Sequence, residues 1–177
     1  DFVQRAIEVY TARTLQEHEG LFERGCHAVL PGSDYCGNEG PLMSPALFRR
    51  FIFPSLRRLV EHAHARGRYL IKHTDGQTWK ILPMLVEAGV DGWHGIQPAI
   101  GMDLGRLKEA YGDALCFFGG VDCSTLVSGT PDDVRREVRT AIAQAGRGGG
   151  LVLTSSNTLM VGVRYENYLT MLATARE

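Results

Sequence analysis

The chain has 177 residues, of which 44% are hydrophobic and 22% charged, and a formal net charge of -1 from 19 basic and 20 acidic side chains. That length predicts one domain, and that mix excludes a disordered chain. No apolar run approaches the roughly 20 residues needed to span a bilayer, and the balanced charge lacks the broad basic footprint of a nucleic-acid binder.

The predicted elements run as follows. Residues 1–24 read as an amphipathic helix, with Phe2, Val3, Ile7, Tyr10, Leu15, Leu21 and Phe22 at roughly helical spacing and Gly25 as its stop. Cys26 to Leu30 is a short apolar strand closed by Pro31-Gly32, and a polar loop follows from Ser33 to Met43. Ser44-Pro45 opens a helix predicted to reach Arg66 with a bend at Pro54. The strand Tyr69–Ile71 ends at Lys72-His73, and a helix is expected from about Trp79 to Ala88. Val90 to Ile96 is the third strand, and Asp103 to Tyr111 the helix after it. Ala114 to Phe118 is the fourth strand, which Gly119-Gly120 is expected to interrupt. Thr130-Pro131-Asp132-Asp133 combines a cap, a first-turn proline and acids at the positive helix end, predicting a helix to about Ala145. Leu151 to Thr154 is the fifth strand, and a last helix covers about Tyr165 to Arg176.

Apolar strands alternating with helices imply a parallel sheet buried on both faces. Two architectures remain open: five consecutive units of a (β/α)8 barrel, which needs about 250 residues when closed, or a complete doubly wound sheet. Either places ligands at the carboxyl ends of the strands. The polar residues there are Asp34 and Tyr35, His73 and Asp75, His94 and Gln97, Asp122 with Cys123, and Ser155, Ser156 and Asn157. His73 and Asp75 stand two apart and share a face if the strand persists. His-x-Asp suits a metal or an acid/base pair, with further ligands to come from Asp34, Cys36, Cys123 or Asn157.

Plainer roles exist for several of these residues. Asp122 could cap the turn Ser124–Leu126, Asp75 before Gly76 could be a turn residue, and His94 reads as a packed interior side chain. Cys36 and Cys123 read as inert thiols. His62 and His64 read as solvated surface. The glycines at 148–150 precede a strand, whereas a phosphate loop follows one. Four cysteines without a CxxC pair suggest reduced thiols in a cytoplasmic protein. The first residue is Asp1 rather than Met, as expected of a processed chain or a piece of a longer one.

Five blocks carry a resemblance. They are Gly40-Pro41-Leu42-Met43-Ser44-Pro45 with Pro54, then His73-Thr74-Asp75-Gly76, then Glu87-Ala88-Gly89-Val90-Asp91-Gly92, then Gly119-Gly120-Val121-Asp122-Cys123 with Leu126 to Val134, and finally Gly149 to Asn157 with Tyr165-Glu166-Asn167. In this order they resemble the C-terminal part of the uroporphyrinogen decarboxylase superfamily. The resemblance implies an α/β fold of TIM (β/α)8-barrel type, with about five βα units present across residues 1–177 as a single uroporphyrinogen decarboxylase-like portion. Five units cut from a closed barrel would leave unpaired edges and an exposed interior, so a second copy or the remainder of a longer chain is expected to cover them.

The superfamily implies two chemistries. One removes carboxyl groups from tetrapyrrole acetate arms without a cofactor. The other transfers methyl groups from a corrinoid to a thiol activated by zinc. The zinc ligands of the methyltransferases lie in a His-x-Cys motif and at a later Cys. His73 matches the histidine, Asp75 stands at the first Cys, and the later Cys falls near Asn157, which also aligns with a histidine of the decarboxylases. The expected substrate is a tetrapyrrole or corrinoid-linked small molecule, with neither nucleic acid nor membrane as partner. His73, Asp75, Asp34 and Asn157 are the candidate catalytic residues, and Tyr35, Gln97, Asp122 and Ser156 the candidate substrate contacts. His73 and Asp75 are the candidate ligands for zinc or another divalent metal. A non-catalytic tetrapyrrole- or corrinoid-binding module is the remaining alternative.

Overall fold

Helix starts and glycine stops written into the sequence set most of the element boundaries in the computed structural model, which describes residues 2–177. Helix α1 spans Phe2–Glu23, and Asp1 of the expected helix lies outside the described residues. Strand β1 (Ala28–Val29) follows. The segment expected to be plain loop holds a two-stranded antiparallel hairpin, β2 (Cys36–Gly37) with β3 (Gly40–Pro41).

The helix expected from Pro45 to Arg66 is divided. Ser44 caps α2 (Pro45–Leu47), its hydroxyl accepting from the Leu47 amide at 3.2 Å. A π-helical turn over Phe48–Ile52 leads into α3 (Phe53–His64), the Phe53 amide donating to the Phe48 carbonyl. Pro54 has no amide to continue an α ladder, and the wider turn just before it absorbs the break that the sequence suggested as a bend.

The remaining elements alternate. Strand β4 is Tyr69–His73, α4 is Leu82–Glu87, and β5 is Gly92–Ile96. A 3-10 turn (Pro98–Ile100) precedes α5 (Leu104–Tyr111), which is capped by Asp103 accepting from the Arg106 amide at 2.8 Å. Strand β6 (Cys116–Val121) runs straight through Gly119-Gly120. A Cβ on Gly120 would lie 2.8 Å from the Ala141 methyl, so glycine is what lets the following helix pack against the strand. The short α6 (Cys123–Ser128) is followed by α7 (Pro131–Ala145), which Thr130 and Asp133 close in a capping box. Strand β7 (Leu151–Ser155) and α8 (Tyr165–Thr174) end the described chain.

The five-stranded sheet has the order β1-β4-β5-β6-β7, and every pair is parallel. A doubly wound sheet reverses direction at a switch point. This one adds each strand on the same side of the last, as the staves of a barrel do. Among the described residues β1 and β7 each have one neighbour in this sheet.

Register sets up the site. His73 lies beside His94, His94 beside Phe118, and Phe118 beside Val152, forming one row across one face. That row is half-buried, and Val152 is exposed. On the other face Leu70, Trp93 and Phe117 are fully buried in a core shared with Leu56, Leu82, Leu85 and Leu107. A second cluster of Val121, Leu126, Val134, Val138 and Met171 seats α6, α7 and α8. No helix among the described residues is long and apolar enough to cross a membrane.

Candidate functional site

At the carboxyl ends of β1, β4 and β7 the chain brings Asp34, His73, Asp75 and Asn157 together. His73 is the last residue of β4, and its amide donates to the Pro31 carbonyl at 3.1 Å, so the backbone stays extended to the strand end. The Thr74 amide donates to the His94 carbonyl at 3.0 Å, and the Trp93 indole donates to the Thr74 carbonyl at 3.0 Å. This buried bracket keeps Asp75 on the His73 side. Gly95, at φ +110°, allows the approach: a Cβ there would lie 2.4 Å from the Thr74 carbonyl oxygen and 2.7 Å from Asp75 Oδ1.

Three acceptors converge. His73 Nε2 is 3.6 Å from Asp34 Oδ1 and 3.7 Å from Asp75 Oδ1. Both gaps exceed hydrogen-bond length, so neither carboxylate takes a proton from this ring. The other nitrogen, Nδ1, lies 2.7 Å from Nδ1 of His94, and one proton sits between the two rings. When His73 is the donor of that bond, its Nε2 lone pair faces the two carboxylates. Asp75 Oδ1 is buried without a hydrogen-bond partner, while its Oδ2 accepts from the Asn157 side-chain amide. Asp34 Oδ1 accepts from the Asp75 amide at 3.0 Å, and Asn157 Oδ1 accepts from the Thr158 amide at 2.6 Å.

Burial governs the charges. It pushes the Asp75 carboxyl up to about 6, reinforced by Asp34 and opposed by His94 and the Asn157 amide. It draws His73 below the usual imidazole range, with Asp34 opposing and Lys72 adding. His94 is drawn down by burial and then by His73, with the Ser155 bond and Asp75 opposing. Burial thus favours the neutral form of both rings.

This donor set fits a divalent cation. One ligand atom each from Asp34, His73 and Asp75 lies within 4.8 Å of the others. Donors around a tetrahedral ion at about 2.1 Å stand roughly 3.4 Å apart, close to the separations of 3.6 and 3.7 Å. A buried carboxylate oxygen without a donor leaves room in its coordination for a cation. The cysteines stay outside the triad. Cys36 is buried, and its thiol is pushed up to about 11 by burial and by Asp34. The buried Cys123 points its thiol at the Asn157 carbonyl, 3.7 Å away.

The residues expected to contact substrate make contacts within the protein itself. Gln97 Oε1 accepts from the Gly76 amide at 2.9 Å and fastens the turn after Asp75. Asp122 caps α6, accepting from the Ser124 amide at 2.8 Å. Ser156 is 1% exposed, and its hydroxyl accepts from the Cys123 amide at 3.1 Å. Tyr35 packs edge-on to Phe48 at 5.0 Å, with the Lys72 ammonium 4.4 Å from its ring centre. Gln97, Asp122 and Ser156 each take part in the protein's own hydrogen bonding, as strand-end caps and loop anchors of these polar types do. Sequence reasoning passed over two residues. His94, read as packed interior, is the direct partner of His73. Lys72 is 1% exposed, and a lysine closing an apolar strand run was its one signal. His62, read as solvated, is partly buried against Glu19, 3.2 Å away.

The whole chain, residues 1–177, matches the family described as uroporphyrinogen decarboxylase. The chain belongs to the uroporphyrinogen decarboxylase family. It is 28% identical over 161 residues to the uroporphyrinogen decarboxylase of Bordetella petrii, covering 84% of this chain and 41% of that one. With the uroporphyrinogen decarboxylase of Pseudomonas entomophila it shares 27% over 142 residues, 75% of this chain and 36% of that one. The chain thus spans less than half the length of these family members. A methyltransferase from Methanosarcina mazei superposes with a TM-score of 0.82 at 22% identity, covering 98% of this chain and 48% of that structure. Dihydropteroate synthase from Anaplasma phagocytophilum aligns at a TM-score of 0.54 and 15% identity, over 82% of this chain and 61% of its own. At these identities the two structures speak for the fold, a partial TIM barrel of the uroporphyrinogen decarboxylase type.

Proposed function

We propose that this chain forms the strand-end mouth of a metal-assisted enzyme of the uroporphyrinogen decarboxylase superfamily. Its substrate in this reading is tetrapyrrole or corrinoid-linked, and its reaction moves a methyl group to a thiol. The observation that carries the reading is the buried, unpartnered Oδ1 of Asp75, set with Asp34 Oδ1 around the free nitrogen of His73. A zinc or similar divalent ion held by the three residues would supply Lewis acidity, lowering the pKa of a thiol that is otherwise near 8.5 and mostly protonated at pH 7. His94 holds the His73 ring so that Nε2 faces the carboxylates. Asn157 fixes one Asp75 oxygen and leaves the other free. Asp34, with its side chain 49% exposed, is the member of the set open to an incoming substrate. The barrel likeness to a methyltransferase agrees with this reading.

Decarboxylation of a tetrapyrrole arm is the second reading. The two family members named uroporphyrinogen decarboxylase favour it, as does an Asp75 carboxyl near 6, which can hand over a proton close to neutral pH. Calorimetric titration of zinc into chelator-treated protein separates the two. The metal reading expects about one ion per chain, lost in His73→Ala, and methyl transfer from methylcobalamin to a small thiol that depends on it. If zinc does not bind, that reading is overturned and decarboxylation of a tetrapyrrole acetate becomes the reaction to assay.

A further inference from the structure

Lys72 precedes His73 on β4 but faces the helix-covered side, and it is 1% exposed. Its ammonium donates to the Ser33 carbonyl at 2.8 Å, to the His73 carbonyl at 2.5 Å and to the Gly32 carbonyl, with the Pro31 carbonyl at 3.3 Å. The Tyr35 ring closes the cage from another side at 4.4 Å. Three of the four oxygens are consecutive in sequence, and the residue after them is Asp34. Ser33 lies at φ +82°, the sole non-glycine residue with positive φ among the described residues. Backbone bonding between β1 and β4 reaches only as far as the bond from the His73 amide to the Pro31 carbonyl, so beyond Pro31 no strand ladder holds this segment. Its next fixed point is the Tyr35 amide, which donates to the Thr74 hydroxyl at 2.8 Å.

We propose that Lys72 is a positioning residue: its ammonium gathers the carbonyls of residues 31–33 onto the end of β4 and thereby sets Asp34 against His73 and Asp75. The inference rests on the metal reading where it concerns ion binding, and on the cage alone where it concerns the placement of Asp34. A flexible chain carrying an exposed carboxylate would not by itself hold that group beside a second buried one, because the two repel. The Lys72 amine grips the three preceding carbonyls through hydrogen bonds from the opposite face of the strand and so supplies the restraint, and its charged form also attracts Asp34.

The test uses Lys72→Met and Lys72→Gln, the latter keeping two N–H donors but no charge. The Asp75 amide, which donates to Asp34 Oδ1 at 3.0 Å, reports where Asp34 sits, with or without metal. Its hydrogen exchange, and that of the Tyr35 amide, is expected to quicken at least about tenfold in both variants. The Gly146 amide, bonded to the Ile142 carbonyl at 2.8 Å in a distant helix end, should be unchanged. Zinc affinity should fall about tenfold or more, and Lys72→Gln combined with Asp34→Ala should bind no more weakly than Asp34→Ala alone. Additive losses in that cycle would overturn the proposal, as would wild-type protection at Asp75 in Lys72→Gln. Equal acceleration at Gly146 would also overturn it, by making Lys72 a general stabiliser. If the wild type itself takes up no zinc, the metal reading falls, and the Asp75 amide still decides the placement role.

Discussion

Replacing Asp75 by Asn is expected to stabilise the metal-free protein while removing its affinity for metal. In the wild type, Asp75 Oδ1 is buried without a donor and faces Asp34 Oδ1 and the bare nitrogen of His73. The folded chain raises this carboxyl from 3.8 to about 6, chiefly through burial and then through Asp34. That difference corresponds to about 3 kcal/mol of folding free energy lost when the group is ionised. An asparagine keeps an oxygen for the Asn157 amide and can turn its NH2 toward the two acceptors. Allowing for relaxation of the neighbours, the variant should gain about 1–3 kcal/mol at pH 8, or about 2–4 °C in melting temperature per kcal/mol for a chain of this size.

The pH dependence distinguishes this cause from ordinary packing. The folded pKa lies above the unfolded one, so the destabilisation is absent below about pH 4, develops between 4 and about 6, and is complete above that. The advantage of Asp75→Asn should follow the same course. Urea melts at pH 4, 6 and 8 with chelator present measure it. With zinc added at about 100 times its Kd, the wild type should gain about 2.7 kcal/mol by mass action and the variant nothing. A variant less stable than wild type at pH 8, or an advantage equal at pH 4 and pH 8, would refute the reasoning.

Two further changes probe the frame around the triad. His94→Phe removes the partner of His73 Nδ1 but keeps a planar ring, and zinc affinity should drop about 10- to 100-fold in calorimetry while the circular dichroism spectrum is retained; unchanged affinity would mean that the ring is held by packing alone. Gly95→Ala places a methyl against the Thr74 carbonyl and Asp75 Oδ1 at φ +110°, and should cost about 2–4 kcal/mol in denaturant melts, whereas a loss below about 1 kcal/mol would show that β5 can shift away.

What the sequence revealed of the fold was local. Ser44-Pro45, the Thr130–Asp133 box and the glycine stops mark element ends because capping depends on residues within one turn. The hairpin at residues 36–41 escaped because its strands are two residues each, too short for a period. Gly119-Gly120 looked like an interruption because what they make room for is remote in sequence: Ile96 beside Gly119, and Ala141, in a helix some twenty residues on, beside Gly120. The site divides the same way. Alternation puts His73 and Asp75 on one face only if the strand persists; β4 ends at His73, and the bonds of Thr74 to β5 hold Asp75 beside the ring instead. His94 joins them through sheet register, which a strand does not encode by itself. Lys72 acts through three carbonyls, and backbone oxygens carry no sequence signature.

The stability of this arrangement has to come from outside the triad. Two carboxylates and a lone pair aimed at one point repel in the folded state, and nothing among them offsets the repulsion. The fold resists it through three separate fixtures: the Lys72 cage behind Asp34, His94 behind His73, and Asn157 beside Asp75. Beneath them the Trp93 indole ties the Thr74 carbonyl into a fully buried layer. His94 and Asn157 touch different ligands, whereas the Lys72 cage holds the carbonyls before Asp34 and that of His73, so removing His94 or Asn157 should loosen one donor and leave the other two in place. Binding would then weaken stepwise across single variants, whereas a site formed by collective loop closure would lose all three donors at once. Because the ordering cost is met when the chain folds, an arriving cation would meet donors already at ligand spacing, and binding should proceed without a detectable conformational phase in stopped-flow fluorescence of Trp79 and Trp93.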